Sequence, residues 1–291
     1  MLIIDPDKKL YRGNTHTHTT CSDGRRTREE CIAQYRALGH DFLAITDHWK
    51  LGAEERHGDF LVMRGAEYNF RLHRQDMHIV GLLPGDADPG IYNGFDDHNE
   101  AIRRINAAGG AAIFAHPAWS MNTLDVMLNL EDVCAAEIFN AVSGMPWNGD
   151  RAYSASLLDI AANHGRLFHH VTGDDTHFYT GECGMGVNMV QAEDLTAESI
   201  IAALKAHKSY CTQGPEIYRA EYNPETRVYS LDCSPASRIV FYSDAVWSTD
   251  RCTSGENMTH KEYIAQNNEH YLRCEVVDAQ GRRAWIAPIA I

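Results

Sequence analysis

The chain has 291 residues, 44% of them hydrophobic, enough for one large α/β domain or for a medium one with an appendage. Its net charge of −14 and the lack of a basic stripe argue against long nucleic acid or an anionic membrane as partner. Met1 to Leu10 lacks an apolar h-region and no 18-residue apolar run follows, so neither signal peptide nor membrane span is expected, and the expected location is cytoplasmic.

Tyr11 to His18 reads as a strand, which would put His16 and His18 on one face, with Asp23 following on the loop. Two imidazoles on one face can meet one cation, although a bare His-x-His pair is weak evidence by itself. Thr27 is a helix N-cap, Glu29 and Glu30 occupy the first turn, and Cys31, Ile32, Tyr35 and Leu38 recur at helical spacing before Gly39. Asp41 to Thr46 is the apolar run of a buried parallel strand that ends in Asp47-His48.

The pattern repeats down the chain. Strands are predicted at Phe60 to Glu67, Met77 to Leu83, Ala111 to Ala115, Cys134 to Phe139 and Arg166 to Thr172. Helices are predicted at Asn99 to Ala108, Thr123 to Leu128, Asp150 to Ala162 and Ala197 to Ala206. Strands alternating with helices, with His or carboxylate residues near their ends, argue for a β/α barrel whose site lies on the C-terminal rim.

After Gly214-Pro215 the texture changes to short strands, at Ile217 to Tyr222, Arg227 to Leu231, Arg238 to Tyr242, Tyr271 to Val277 and Trp285 to Ile289. A weak helical period shows only around Thr259 to Ala265. Of 16 histidines only His207, His260 and His270 lie beyond His177, and the chain is therefore divided into residues 1–210 and a small β-rich domain at 211–291. The eight cysteines include no Cys-x-x-Cys pair, so a thiolate zinc site is not expected and reduced thiols are.

Gathering the polar residues near strand ends gives His16, His18, Asp23, His48, Glu67, His78, His116, Asp175 and His177. Six imidazoles and three carboxylates without a thiolate suit zinc, manganese or iron, and nine ligands suit two or three ions with a bridging carboxylate. A lone histidine at a strand end is usually structural. Independent structural histidines, however, have no reason to recur at successive strand ends.

These motifs, His16-x-His18 with Ser22-Asp23-Gly24, Thr46-Asp47-His48, Glu67, His78, His116-Pro117 and Gly173-Asp174-Asp175-Thr176-His177, resemble in order those of the polymerase and histidinol phosphatase (PHP) family. The resemblance covers about residues 11 to 178 and implies an α/β fold, a distorted (β/α)7 barrel with a metal centre at its mouth. It also implies a ligand distribution: His16, His18, Glu67 and Asp175 on a first metal, Glu67, His78 and His116 on a second, and Asp23, His48 and His177 on a third. Asp174-Asp175, Glu137-Ile-Phe-Asn140 and Arg282-Arg-Ala-Trp-Ile-Ala-Pro288 are similar to the carbaryl-hydrolase-like branch.

A cluster of dications outweighs the three carboxylates of the set and favours a small anionic substrate, a phosphorylated metabolite or nucleotide. The same centre could attack the carbonyl of a carboxylic or carbamic ester or amide. A non-catalytic, metal-stabilised module is the third reading. For catalysis Glu67 is expected to be shared between two metals, and His177, His170 and an unligated His48 are candidates to protonate a leaving group. Arg25, Asn140 and Trp119 are candidates for substrate binding; Arg26, Lys50, Arg71, His73, Arg74 and Trp147 lie on nearby loops. Oligomeric state is not legible in the sequence.

Overall fold

The computed structural model describes residues 1–72, 74–92 and 97–291; His73 lies outside the described residues. The first half contains β1 (Leu2–Ile4), β2 (Tyr11–Asn14), α1 (Arg28–Ala37), β3 (Phe42–Ile45), β4 (Glu55–His57), β5 (Phe60–Leu72), β6 (Gln75–Leu83), α2 (His98–Ala107), β7 (Ala111–Phe114), α3 (Leu124–Leu128) and β8 (Ala135–Asn140). The second contains α4 (Ala155–Asn163), β9 (His170–Gly173), β10 (Val187–Val190), α5 (Ala197–Lys205), β11 (Ser209–Thr212), β12 (Ile217–Asn223), β13 (Val228–Tyr242), β14 (Cys252–Ile264), β15 (Tyr271–Val277) and β16 (Arg283–Ala290).

These strands form one mixed sheet in the order β1-β12-β13-β15-β16-β11-β10-β2-β3-β5-β6-β7-β8-β9, with β14 on β13 and β4 on β5. β2, β3 and β5 are parallel, as are β7, β8 and β9, while β5, β6 and β7 run antiparallel. β3 and β7 are buried along their whole length, which their unbroken apolar sequences require. Thr27 caps α1 in a reciprocal box with Glu30, and the helix buries Cys31, Ile32 and Tyr35.

Among the described residues the ladder does not close, so the barrel expected from the sequence is present only as a mixed α/β sheet with two ends. At the seam, side chains replace the missing ladder. Asn188 on β10 accepts from the Thr172 amide at 2.9 Å and donates to the Thr172 carbonyl at 2.8 Å and to Thr15 Oγ1 at 3.2 Å. Gly173 permits the close approach there, because a Cβ at this position would sit 2.0 Å from Glu137 Oε1 and 2.9 Å from His16 Cβ.

Several boundaries differ from expectation for local reasons. β2 ends at Asn14, so His16 and His18 lie on its extended tail. α4 begins at Ala155, because the preceding residues run beside β8: Asn140 donates to the Ala152 carbonyl at 3.0 Å and Ser154 to the Ile138 carbonyl at 2.9 Å. The stretch around Thr259 to Ala265 is strand β14, paired to β13 from Val228↔Ile264 onward; pairing overrides its weak helical period. The sheet passes without a break through β11 into the C-terminal strands, and Ile3 and Ile4 of β1 share the apolar core of that region with Tyr210, Leu231, Phe241 and Ile286. All eight cysteines are free. Among the described residues no helix is long and apolar enough to cross a membrane.

Candidate metal centre

The strand tails converge at one end of the N-terminal strands. The tails of β2 and β9 lie side by side: the Asp175 amide donates to the His16 carbonyl at 2.9 Å and the His18 amide to the Thr176 carbonyl at 3.1 Å. His48, past β3, bridges to Glu67 on β5. His78 stands on β6 opposite Asn69, and His116 follows β7. His116 and Asp175 hold positive φ angles, 30° and 52°, in the sparsely populated backbone region where strain collects at functional sites.

All nine sequence-predicted metal residues are brought together, in three overlapping groups whose donor atoms lie within 4.8 Å of one another. In the innermost, His16 Nε2 and His18 Nε2 are 3.2 Å apart. They lie 3.2 and 3.0 Å from Glu67 Oε2, and 3.3 and 3.1 Å from Asp175 Oδ1. In the second, the other oxygen of Glu67, Oε1, is 2.7 Å from His78 Nδ1 and 3.2 Å from His116 Nε2. In the third, Asp23 is 3.4 Å from His177 Nε2, 3.6 Å from His18 Nδ1 and 3.7 Å from His48 Nε2. His18 thus belongs to two groups, one nitrogen to each, a sharing that the resemblance did not imply.

The donors fit divalent cations. Among the described residues, buried Asp175 Oδ1 has no hydrogen-bond partner although two imidazole nitrogens face it, and His48 Nδ1 is likewise orphaned. His16 donates from Nδ1 to Glu137 Oε1 at 2.8 Å, which fixes its ring and leaves Nε2 aimed into the cluster, the usual arrangement for a metal-bound histidine. Burial alone would lower the pKa values of His16, His18 and His116, but Asp175 and Glu67 outweigh it and raise all three. Burial opposes charge on Asp175 and Glu67 too, yet the surrounding imidazoles hold both carboxyls well below the usual range. His177 is pushed up to about 9, because the Asp23 carboxylate outweighs its burial.

The supports of these ligands were not legible as such. Glu137 also accepts from the His116 amide at 2.9 Å. Asp47 accepts from Thr19 N and Oγ1 and from Ser22 N and Oγ at 2.7 to 3.2 Å, pinning the loop that carries Asp23. Asp174, next to Asp175, accepts from Tyr35 Oη at 2.8 Å and Gly186 N at 2.8 Å; burial outweighs these bonds and lifts its pKa to about 7. Tyr35 reads in sequence only as one more apolar position of α1.

Above the donors is a cleft of about 260 Å3, floored by Asp23, His48, Glu67, His78, His116, Asp175 and His177 and walled by Trp119, Val142, Trp147, Asn148 and Phe178. Trp119 lines this cleft beside His116, their ring centres 5.0 Å apart. Arg25 does not line the cleft; its guanidinium lies 4.7 Å from the ring centre of Phe178, which does. Asn140 corrects the reading: it donates to Glu137 Oε2 at 2.8 Å and Asp175 Oδ2 at 3.3 Å and accepts from Ser143 Oγ at 2.7 Å, so its amide is committed to holding the cluster rather than a substrate.

His170 is a second correction. It sits at the start of β9, five residues before Asp175 and so on the order of 15 Å away along extended chain, and it does not line the cleft. Burial, reinforced by Arg273, holds its pKa well down. Of the other loop residues, Arg71 faces Asp76 at 3.8 Å, Arg26 faces Glu30 at 4.0 Å, and Lys50 donates to the Cys21 carbonyl.

No family model matches the sequence, and no curated protein is similar to it. Solved structures are. A two-domain protein from Bacteroides vulgatus containing a predicted PHP-like metal-dependent phosphoesterase superposes with TM-score 0.53 at 14% identity, over 98% of this chain and 96% of that one. The likeness establishes a shared fold. The lesion-specific endonuclease EndoQ of Pyrococcus furiosus matches 68% of this chain and 56% of its own with TM-score 0.49 at 15% identity. An amidohydrolase from Chromobacterium violaceum with bound sulfate matches 58% of this chain and 88% of its own with TM-score 0.42 at 17% identity.

Proposed function

We propose that the chain is a PHP-type metal-dependent phosphoesterase that holds two or three zinc, manganese or iron ions and hydrolyses a small phosphorylated metabolite or nucleotide. The observation that carries this reading is the position of Glu67, one buried carboxylate presenting Oε2 to His16 and His18 and Oε1 to His78 and His116. Such a shared carboxylate is what a cluster of neighbouring ions requires. The proposal includes a distorted barrel for residues 1–210, a β-rich unit at 211–291, and membership of the carbaryl-hydrolase-like branch, whose Glu137 and Asn140 contact the donor set.

Divalent ions held by these donors supply Lewis-acid polarisation of the scissile group and activation of a water. The residues do the rest. Glu137 and Asn140 fix the donors, the aromatic wall sets the leaving group against a dry surface, and Arg25 sets a cation against the Phe178 ring of that wall. In hydrolysis the ester P–O bond breaks, the water oxygen bonds to phosphorus, and a proton passes to the departing oxygen. His177 carries a proton at neutral pH when it is not engaged as a ligand, because Asp23 supports the imidazolium, and this makes it the candidate donor in place of His170.

The apolar wall of Trp119, Val142, Trp147 and Phe178 favours a second reading, hydrolysis of an aryl carboxylic or carbamic ester or amide. Protein loaded with manganese or zinc and assayed on aryl phosphates, aryl esters and short oligonucleotides separates the readings. Turnover of the phosphates with two or three bound ions is expected. Activity confined to the esters overturns the first choice, and no turnover across the panel returns the chain to a metal-stabilised module.

A further inference from the structure

The cleft does not end at its aromatic wall. Trp119, Trp147 and Asn148 are shared with a second, more open basin of about 400 Å3 that also takes in Arg74 and Arg151. The partition is rigidly made. Trp119 Nε1 donates to Asn148 Oδ1 at 3.2 Å, and Asn148 Nδ2 donates to the Val142 carbonyl at 2.8 Å. The Trp119 ring meets the edge of His116 with centres 5.0 Å apart, so the wall stands directly on a metal donor. Trp147, 59% exposed, offers a free indole surface at the lip while its other contact is the Phe178 ring, 5.4 Å away.

The second basin differs from the first in charge. It has two guanidiniums, Arg74 and Arg151, against one carboxylate, Asp76, and Asp76 is already faced by Arg71 at 3.8 Å. In a chain of net charge −14, where most of the surface repels anions, this is a local reversal placed beside the cleft.

We propose that this basin is a subsite for the distal anionic end of a substrate built on a flat unsaturated ring. The scissile ester lies at the metal donors, the ring lies against Trp119 and Trp147, and a carboxylate or second phosphate reaches Arg74 and Arg151. The inference deepens the reading of the cluster as a hydrolytic centre and rests on it. Stacking supplies affinity for any flat ring, and the guanidiniums select among such rings by charge.

The test uses the metal-loaded full chain with 2-naphthyl phosphate and its analogues carrying a carboxylate or a second phosphate on the distal ring. A higher kcat/KM for the doubly anionic substrates is expected, with the better of the two naming the anion. Arg74→Ala and Arg151→Ala should each lower the ratio of doubly to singly anionic kcat/KM roughly fivefold, the scale of one exposed ion pair, and Arg151→Glu should lower it further. Binding of naphthalene-2,6-dicarboxylate against naphthalene-2-carboxylate, followed by tryptophan quenching, asks the same question without turnover. Tighter, arginine-dependent binding of the dicarboxylate with no hydrolysis sinks the hydrolytic reading and keeps the anion subsite. Hydrolysis with no preference for the second charge, and no change of the ratio in the variants, overturns the subsite and keeps the hydrolase.

Discussion

Among the described residues, a buried cluster at the strand tails and a partly buried one beneath the C-terminal strands are built on opposite principles. At the strand tails, His16, His18, Glu67 and Asp175 turn their donor atoms toward one another. Between α4, β15 and β16, Arg273 makes a two-pronged bond to Asp159 at 2.6 and 2.6 Å, Arg283 reaches Glu275 at 2.7 Å, and Trp285 Nε1 donates to Glu275 at 3.1 Å. The guanidinium of Arg273 also lies 3.8 Å from the Tyr242 ring centre. Guanidiniums keep their protons at every accessible pH, so the second cluster neutralises itself and has no vacancy for a cation. Imidazoles can give up their protons to a competing cation, so the first is a set of donors that can exchange protons for an ion. The second cluster, whose Asp159 and Arg283 are only partly buried, serves cohesion, whereas the fully buried first one is chemically suited to hold an ion.

The largest expected effect breaks the donor cluster at its shared member. Glu67→Gln should lower bound metal by at least one ion per chain and turnover by about a thousandfold or more, corresponding to roughly 4 kcal/mol of transition-state stabilisation. Metal analysis and kcat on the same preparation check it; full metal content with full activity would remove the shared-carboxylate model. The mirror experiment is Arg273→Met, which leaves Asp159 without its bidentate partner and should cost about 3 kcal/mol of stability in a denaturant titration. Metal stoichiometry should stay as it was. A loss of metal there would show that the two clusters are one system.

A smaller effect tests the supports. Glu137→Gln keeps the shape of the side chain but removes the charge that orients His16 and steadies the His116 amide. Metal affinity should fall about 10- to 100-fold, read by competition with a chelator, while the fold persists.

Glu137 marks where sequence reading stopped. The donor residues that the structure brings together were legible because metal chemistry restricts residue type, and because strand tails repeat that restriction at successive ends of one sheet. A glutamate in the run Ala135-Ala-Glu-Ile-Phe-Asn140 carries no such signal, since the donors it supports, His16 and the His116 amide, lie 121 and 21 residues away and are met only once the sheet has formed. Asn140 reads in the sequence as facing a substrate; its partners Glu137 and Ser143 are three residues away on either side, but the bond to Asp175, 35 residues on, exists only in the folded sheet. His170 shows the converse, a histidine on a strand whose position along that strand excludes it from the cleft. Most strands and helices followed from apolar runs, but the short β1, β4, β10 and β11 were not predicted, and the open seam at Asn188 depends on a side chain standing in for a ladder, which no periodicity encodes.

The smallest effect, and the one that best separates the clusters, is the response to pH. In metal-free protein His177 has its pKa raised from 6.5 to about 9, and His16, His18 and His116 are raised as well. A raised histidine stabilises the fold fully below its unfolded pKa of 6.5, and that contribution is lost as pH climbs through the folded value. Asp23, Asp175 and Glu67 are depressed, so their contribution is present above their unfolded values of 3.8 to 4.5 and is lost on acidification. Metal-free protein should therefore be most stable near pH 6.5, because buried His40, His169 and His170 have lowered pKa values and weaken the fold below it, with the Asp23–His177 contact alone accounting for about 1 kcal/mol of the decline from pH 6.5 to 9 once its exposure is allowed for. Metal ions compete with the same protons, so the stabilisation they add should grow over that interval. Melting temperatures of metal-free and manganese-loaded protein should thus diverge as pH rises. Arg273→Met should lower both curves without changing the divergence, because no guanidinium titrates in this range. Parallel curves in the wild-type protein would mean that the imidazoles at the strand tails do not exchange protons for metal, and the contrast between the two clusters would fail.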